Sequence, residues 1–337
     1  MPVETIKVAV LGAAGENAGL ILHGLLASKE PKFEITALAR PSSASKPSYV
    51  KLATKGIRIV TVDLDGPDIQ IVEALEGQDI VIASVPPNAL DSQLPLIRAA
   101  KLAKIKRFVP SAFAMAIAPS GICGVQIEKE RIYAELMASG IPYTIIDVGW
   151  WYNGFIPQVP SGCTDFAIAL PDFIRNLVPG DGSVKTYVID NEDIGDLVAQ
   201  IITDPRTINK RVMASGTALS FNDMFHIAEE LIGEKPEPKK LIAVSKQVSA
   251  EGLRGMIAGL EAKLAESPGD YLLFVGKAWL EYYYSSFIDC DNSPDGIKRL
   301  GYVSSTELYP DFVPTSFRTF LQETLEKKRR LPYSDRA

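Results

Sequence analysis

A glycine-rich turn, one arginine and one lysine carry most of the chemistry legible in this 337-residue chain. Gly12-Ala13-Ala14-Gly15-Glu16-Asn17-Ala18-Gly19 follows an apolar strand pattern, Lys7 to Leu11, and opens a helical one. In such a turn Gly12 permits the tight bend, and Gly15 lets the backbone approach a pyrophosphate resting on the positive end of the helix. A small residue at Ala18 or Gly19 then allows close helix–strand packing. Glycines also serve plain turns, but this run lies inside a strand–helix–strand unit, which points to a dinucleotide. Gly12, Ala14, Gly15, Asn17 and Ala18 are the expected contacts.

The end of the second strand pattern decides which dinucleotide. NAD-binding domains place an acidic side chain there for the ribose 2′-OH. This chain has Arg40, followed by the neutral Pro41-Ser42-Ser43. A guanidinium there suits a 2′-phosphate, so NADPH is the expected cofactor; a merely solvated Arg40 is the alternative.

Proton chemistry needs a further group. No tyrosine has a lysine four residues later, so a Tyr-x-x-x-Lys pair is absent. Lys129 is the best candidate, expected in the first turn of a helix from about Glu128 to Ser139 that ends at Gly140 and Pro142. The helix dipole there disfavours a cation and would lower its pKa, as an acid–base lysine requires. Against this, Glu128-Lys129-Glu130-Arg131 is the kind of mixed run that usually forms a solvated face. Trp150, Trp151 and Tyr152 follow the next strand pattern; they suit a planar aromatic substrate or, equally, packing between sheet and cap.

The elements that must position these groups alternate over the first 150 residues. Strand patterns at 7–11, 35–39, 57–62, 79–84, 107–110 and 143–148 are separated by helical stretches. Six apolar strands with crossover helices predict an α/β protein, a Rossmann-type doubly wound parallel sheet. Residues 1–150 are the expected NADP-binding domain, and 151–337 a smaller substrate-binding cap returning partly to the sheet. In the cap, helices are expected over Ser220–Ile232 with Ser220 as N-cap, Ser249–Glu266 and Thr315–Arg330.

Composition narrows the classes. The chain is 47% hydrophobic with net charge -6, which argues against a nucleic-acid partner. The run Lys327-Lys328-Arg329-Arg330 is expected to be a cationic last turn and tail. Cys123, Cys163 and Cys290 are far apart, and the only histidines, His23 and His226, lie in helical patterns and are expected to be structural. No metal site is expected. No apolar run is long enough for a membrane span and no leader pattern opens the chain, so a cytoplasmic protein, monomer or homodimer, is expected.

The chain resembles the isoflavone-reductase-like group of atypical short-chain dehydrogenases within the NmrA-like family, which includes phenylcoumaran benzylic ether and pinoresinol–lariciresinol reductases. Beyond the glycine turn, the resemblance rests on Lys106-Arg107-Phe108-Val109-Pro110-Ser111, Gly140-Ile141-Pro142-Tyr143-Thr144, Gly180-Asp181-Gly182 and Glu192-Asp193-Ile194-Gly195. It continues through Asp204 to Lys210 and Glu307-Leu308-Tyr309-Pro310-Asp311. The stretch Ile146 to Trp151 is more like a fungal branch.

The resemblance implies NADPH binding and hydride delivery to a planar, often phenolic, small molecule in secondary metabolism. The family lysine stands eleven residues before the glycine of Gly140-Ile141-Pro142, which lands on Lys129 as general acid or base. Val85 and Pro86 would flank the cofactor, Phe113 would back the nicotinamide and touch substrate, and Gly149, a further expected cofactor contact, stands where the plant group has asparagine. The family carboxylate after strand five is replaced by Ala112. Two other readings of the resemblance stay open: an NADP(H)-sensing regulator without turnover, and a non-redox isomerase or cyclase on the same fold.

Overall fold

The computed structural model describes residues 5–168, 174–175, 177–235 and 247–332. Its first strand, β1 (Thr5–Leu11), is covered on both sides. Val8 and Val10 enter one apolar cluster and Ala9 and Leu11 another, because successive side chains of a strand point to opposite faces. Around it come α1 (Glu16–Ala27), β2 (Lys32–Ala39), α2 (Pro47–Thr54), β3 (Arg58–Thr61), α3 (Asp68–Leu75), β4 (Ile80–Ala83), α4 (Gln93–Leu102) and β5 (Arg107–Val109). The strands pair in parallel in the order β3-β2-β1-β4-β5. The winding reverses between β1 and β4, and ligands of such sheets sit beyond the strands' carboxyl ends at that reversal.

The sixth strand pattern departs from the expectation of one continuous sheet. After α5 (Gly124–Ser139), β6 (Thr144–Asp147) runs beside β5, but an isolated bridge at Phe108–Tyr143, not a ladder, joins the two. Pro110 has no N–H for a ladder and Phe113 adopts φ +42°, so β5 stops after three residues. The next elements are β7 (Trp150–Trp151), β8 (Val178–Pro179), β9 (Thr186–Ile189), α6 (Ile194–Ile201) and β10 (Lys210–Met213). β6 pairs in parallel with β10.

Then follow β11 (Thr217–Leu219), α7 (Phe221–Ile232), β12 (Gln247–Val248), α8 (Ala250–Glu266), α9 (Tyr271–Phe287), α10 (Pro294–Arg299), β13 (Tyr302–Ser304), α11 (Ser305–Leu308) and α12 (Phe317–Leu325). β13 lies on the far side of β10, again parallel, so the second sheet reads β13-β10-β6. β7, β9 and β11 form a third small sheet.

Helices α1 and α6 share the cluster on one face of the main sheet; α3, α4 and α5 share the cluster on the other. A third, aromatic cluster joins Trp150, Tyr152, Phe155, Phe221, Tyr283, Phe287, Phe317 and Phe320. Ser220 caps α7 in a full capping box with Asp223, and Ser249 caps α8. His23 and His226 lie on the exposed faces of α1 and α7. The last helix is shorter than expected, and the basic run beyond it is no free tail. Arg329 lies 2.5 Å from Asp190, and Arg330 grips Glu16 at 2.8 Å.

Candidate active site

The β1–α1 turn has the shape its residues imply. Gly12 has φ +80°, and a Cβ there would fall 2.1 Å from the Ser84 carbonyl oxygen, so only glycine is accommodated. Gly15 is the N-cap of α1 and has no side chain to occupy the first amides of the helix. Ala18, fully buried, is the small residue that seats the helix on the sheet; Gly19 has open space around it. Ala14 is exposed. Asn17 reaches across to the β5–α5 connection, its Nδ2 donating to Phe113 O at 3.4 Å. Its Oδ1 is buried with no hydrogen-bond partner among the described residues. A glycine cradle, uncapped amides and an orphaned amide oxygen fit a phosphate-bearing ligand.

Arg40 follows β2 directly and is exposed, at the same carboxyl edge as the glycine turn. Its carbonyl accepts from Ser43 N at 2.8 Å, which bends the chain back beside the strand end. Val85, half-buried, and Pro86, exposed, follow β4. Ser111 Oγ accepts from Val85 N at 3.0 Å and donates to Val85 O at 2.9 Å, tying the connections after β4 and β5 together.

Lys129 is 6% exposed, while Glu128 and Arg131 of the same run face solvent. Because α5 begins at Gly124, Lys129 sits in its second turn, not the first. The dipole argument therefore does not apply. Burial pushes its ammonium below the usual lysine value; Asp147, then Cys123 and Glu130, pull it back. Lys129 Nζ donates to Ala112 O at 2.9 Å. The start of α5 is held by Glu281 of α9, whose Oε2 accepts from Gly124 N at 3.1 Å. Burial pushes the Cys123 thiol up to about 11, which makes it a packing residue and not a nucleophile.

Behind Lys129 lies a polar group that the sequence reading did not assemble. Asp147, 3% exposed, accepts from the Tyr302 hydroxyl at 2.6 Å and from Ala114 N at 3.4 Å. Arg211 on β10 binds both carboxylate oxygens of Glu130, at 2.8 and 2.6 Å, and lies over the Tyr133 ring at 5.4 Å. The one local signal was a carboxylate inside the apolar run Ile145-Ile146-Asp147-Val148.

The aromatic triplet separates into different roles. Trp150 is 3% exposed; its ring lies 5.4 Å from both Trp279 and Tyr283, and its Nε1 donates to Ser286 Oγ at 3.0 Å. Tyr152 is fully buried between Phe317 and Phe320, its hydroxyl donating to Thr315 O at 3.0 Å. Both sit in the packed aromatic core, the second of the two uses their type allowed. Trp151 alone is partly exposed. Gly149 has φ +74°, and a Cβ there would meet Tyr187 O at 2.6 Å, so its glycine serves β9 packing. Among the described residues, no cluster of three metal-ligating side chains occurs, and no helix is long and apolar enough to cross a membrane.

A profile of the NmrA-like family matches residues 4–321. The chain belongs to that family. Among NmrA-like relatives, it is 34% identical over 325 residues to asnovolin J 5',6'-dehydrogenase of Aspergillus novofumigatus, covering 96% of each chain. It is 28% identical to phenylcoumaran benzylic ether reductase TP7 of Nicotiana tabacum, covering 94% of this chain and 98% of the relative. Leucoanthocyanidin reductase of Vitis vinifera, solved as a complex with NADPH, shares its fold at TM-score 0.72 and 23% identity over 95% of this chain and 99% of the reductase.

Proposed function

We propose that this NmrA-like protein is an NADPH-dependent oxidoreductase of small aromatic or phenolic molecules, working as a reductase. The observation that carries the reading is the glycine cradle and uncapped α1 terminus beside a buried lysine that follows β5. The names of its relatives, a dehydrogenase and plant reductases, support it. Gly12, Gly15 and the first amides of α1 hold the diphosphate, and Arg40 pairs with the 2′-phosphate. Val85, Pro86 and Phe113 border the nicotinamide end. NADPH, when bound, supplies a hydride. Lys129 holds a proton at Nζ and releases it to the anion left on a reduced carbonyl, conjugated alkene, quinone methide or imine. Trp151 is the member of its triplet that offers ring surface to a planar substrate.

The test incubates purified protein with NADPH and a panel of aromatic ketones and enones, and with NADP+ and the matching alcohols, because the fungal relative is named for the oxidative direction. Consumption of cofactor by the wild type, lost in Lys129→Ala with NADPH affinity retained, supports the reading. Turnover unchanged in Lys129→Ala removes the proposed acid.

One observation favours a second reading. Lys129 already spends a hydrogen bond on Ala112 O inside a sealed setting, as a purely structural lysine would. A dinucleotide-binding regulator without turnover needs no more than that. NADPH binding without consumption in either direction, together with a co-purifying protein, would establish it.

A further inference from the structure

Four charged groups lie together beneath the connection between β5 and α5: Lys129 and Glu130 on α5, Asp147 at the end of β6, and Arg211 on β10. Their pairing is unequal. Arg211 takes both oxygens of Glu130 in a fork, at 2.8 and 2.6 Å, so those two charges satisfy each other. Among the described residues, Asp147 and Lys129 have only neutral hydrogen-bond partners, although Arg211 also acts on Asp147, after Lys129. Asp147 is held by the Tyr302 hydroxyl at 2.6 Å and Ala114 N at 3.4 Å; Lys129 is held by Ala112 O at 2.9 Å. An ammonium and a carboxylate buried to this degree need opposite charge nearby, since neutral dipoles alone do not replace water.

The segment Ala112–Ala114 links the two groups physically. Lys129 anchors its first carbonyl and Asp147 its last amide, with Phe113 between them at φ +42°, a region that an aromatic residue seldom adopts. Phe113 N donates to Ile146 O at 2.8 Å, which fixes the segment on β6. The lysine and the carboxylate are thus registered through one short loop.

We propose that Asp147, clamped by the Tyr302 hydroxyl, is the positioning carboxylate that keeps buried Lys129 charged and aimed at the β5–α5 connection. The proposal rests on the reading of Lys129 as the proton donor and adds the groups that set its charge. Asp147 does not touch the reacting atoms; it acts through Lys129. Tyr302 belongs to β13, 155 residues further along, so the proton-holding apparatus is completed by the C-terminal return of the chain.

Other ionisable groups face this pair from every side. Cys123 precedes α5, Glu130 and Tyr133 lie on it, Arg211 is on β10, Tyr302 on β13, and Glu281 and Tyr282 on α9. Burial keeps the Tyr133, Tyr282 and Tyr302 phenols and the Cys123 thiol protonated, and Glu130 is committed to Arg211. Glu281 is engaged by Lys277 at 2.5 Å. Among the described residues, Asp147 is the carboxylate of this group with no cation within ion-pair distance; burial pushes its carboxyl up, and Lys129 first, then the Tyr302 hydroxyl and Arg211, hold it down.

The experiment reads Lys129 directly. Full-length protein is grown with lysine carrying carbon-13 at Cε, Lys129→Met assigns the signal, and its pH titration is followed by NMR. Asp147→Asn should lower the titration midpoint by about one to three pH units, the effect of removing a close opposite charge. Tyr302→Phe should leave it in place or raise it slightly, because the carboxylate keeps its charge and loses the donor that disperses it. A midpoint unchanged or raised in Asp147→Asn overturns the proposal. If Asp147→Asn does not fold, Asp147→Glu, which keeps the charge and shifts its position, decides: a moved midpoint supports the coupling and an unchanged one removes it. Turnover plays no part in this readout. Failure of the coupling therefore leaves the donor role standing, and active Lys129→Ala would remove the donor role while leaving the coupling intact.

Discussion

At the scale of single residues, the site turns on whether a side chain is buried, and spacing alone does not give that. Lys129 stands in a run that ordinarily faces water, yet its neighbours Glu128 and Arg131 take the solvent side while it points inward. That burial sets the expected size of its removal. A positioned proton donor contributes roughly 10²–10⁴-fold, so Lys129→Ala should lower kcat by that range with little change in NADPH affinity, read by steady-state kinetics and fluorescence titration. The glycines were legible because their constraint is local: Gly12 needs positive φ, and its approach to Ser84 follows from β1 and β4 being neighbours. Asp147 with Tyr302 was not legible, since nothing near either residue announces a partner 155 positions away. Trp150 and Tyr152 show the limit of residue type, because an aromatic after a strand serves a core as readily as a substrate.

At the scale of elements, legibility follows the strength of local signals. α7 was readable from Ser220 and Asp223, which form the capping box observed. α9 was not, because its Tyr, Trp, Phe and Val content is poor in helix formers and its pattern is apolar nearly all round. Its cap, Asp270, accepting from Leu272 and Leu273 amides, was the available clue. α6 escaped notice too, yet it fixes α1 and thereby the phosphate-facing turn. The two helices cross at Gly24 and Gly195, where a Cβ on Gly195 would lie 2.3 Å from Leu20 O and 2.8 Å from Gly24 N. Gly195→Ala should therefore destabilise the fold by about 1–3 kcal/mol and weaken NADPH binding through displacement of α1, measured by denaturant titration and calorimetry. Wild-type stability in that variant would mean that the crossing is looser than its geometry indicates.

At the scale of the whole molecule, the chain's last segment ties distant parts together. Arg329 lies among Asp190, Glu192 and Glu323, at 2.5, 3.6 and 2.8 Å, and Arg330 binds Glu16 in the first turn of α1. Burial outweighs Arg329 at Asp190 and pushes its carboxyl up to about 6. An acid whose folded pKa lies above its unfolded one binds protons more tightly when folded. Its contribution is then fullest below the unfolded value near 4 and declines as pH rises through about 6. Thermal unfolding of the wild type relative to Asp190→Asn should show that decline, roughly 2–3 kcal/mol across the window, and level off above it. A pH-independent difference would assign no such role to Asp190.

Hydride chemistry at this site requires the carboxyl edge of the main sheet to take a 2′-phosphorylated dinucleotide. Calorimetric titration of NADPH and NADH into the wild type and Arg40→Ala tests this directly. NADPH should bind at least about tenfold more tightly than NADH, and the gap should close in Arg40→Ala as one charge-assisted contact is lost. Equal affinity of the wild type for both dinucleotides, or binding of neither, would contradict it.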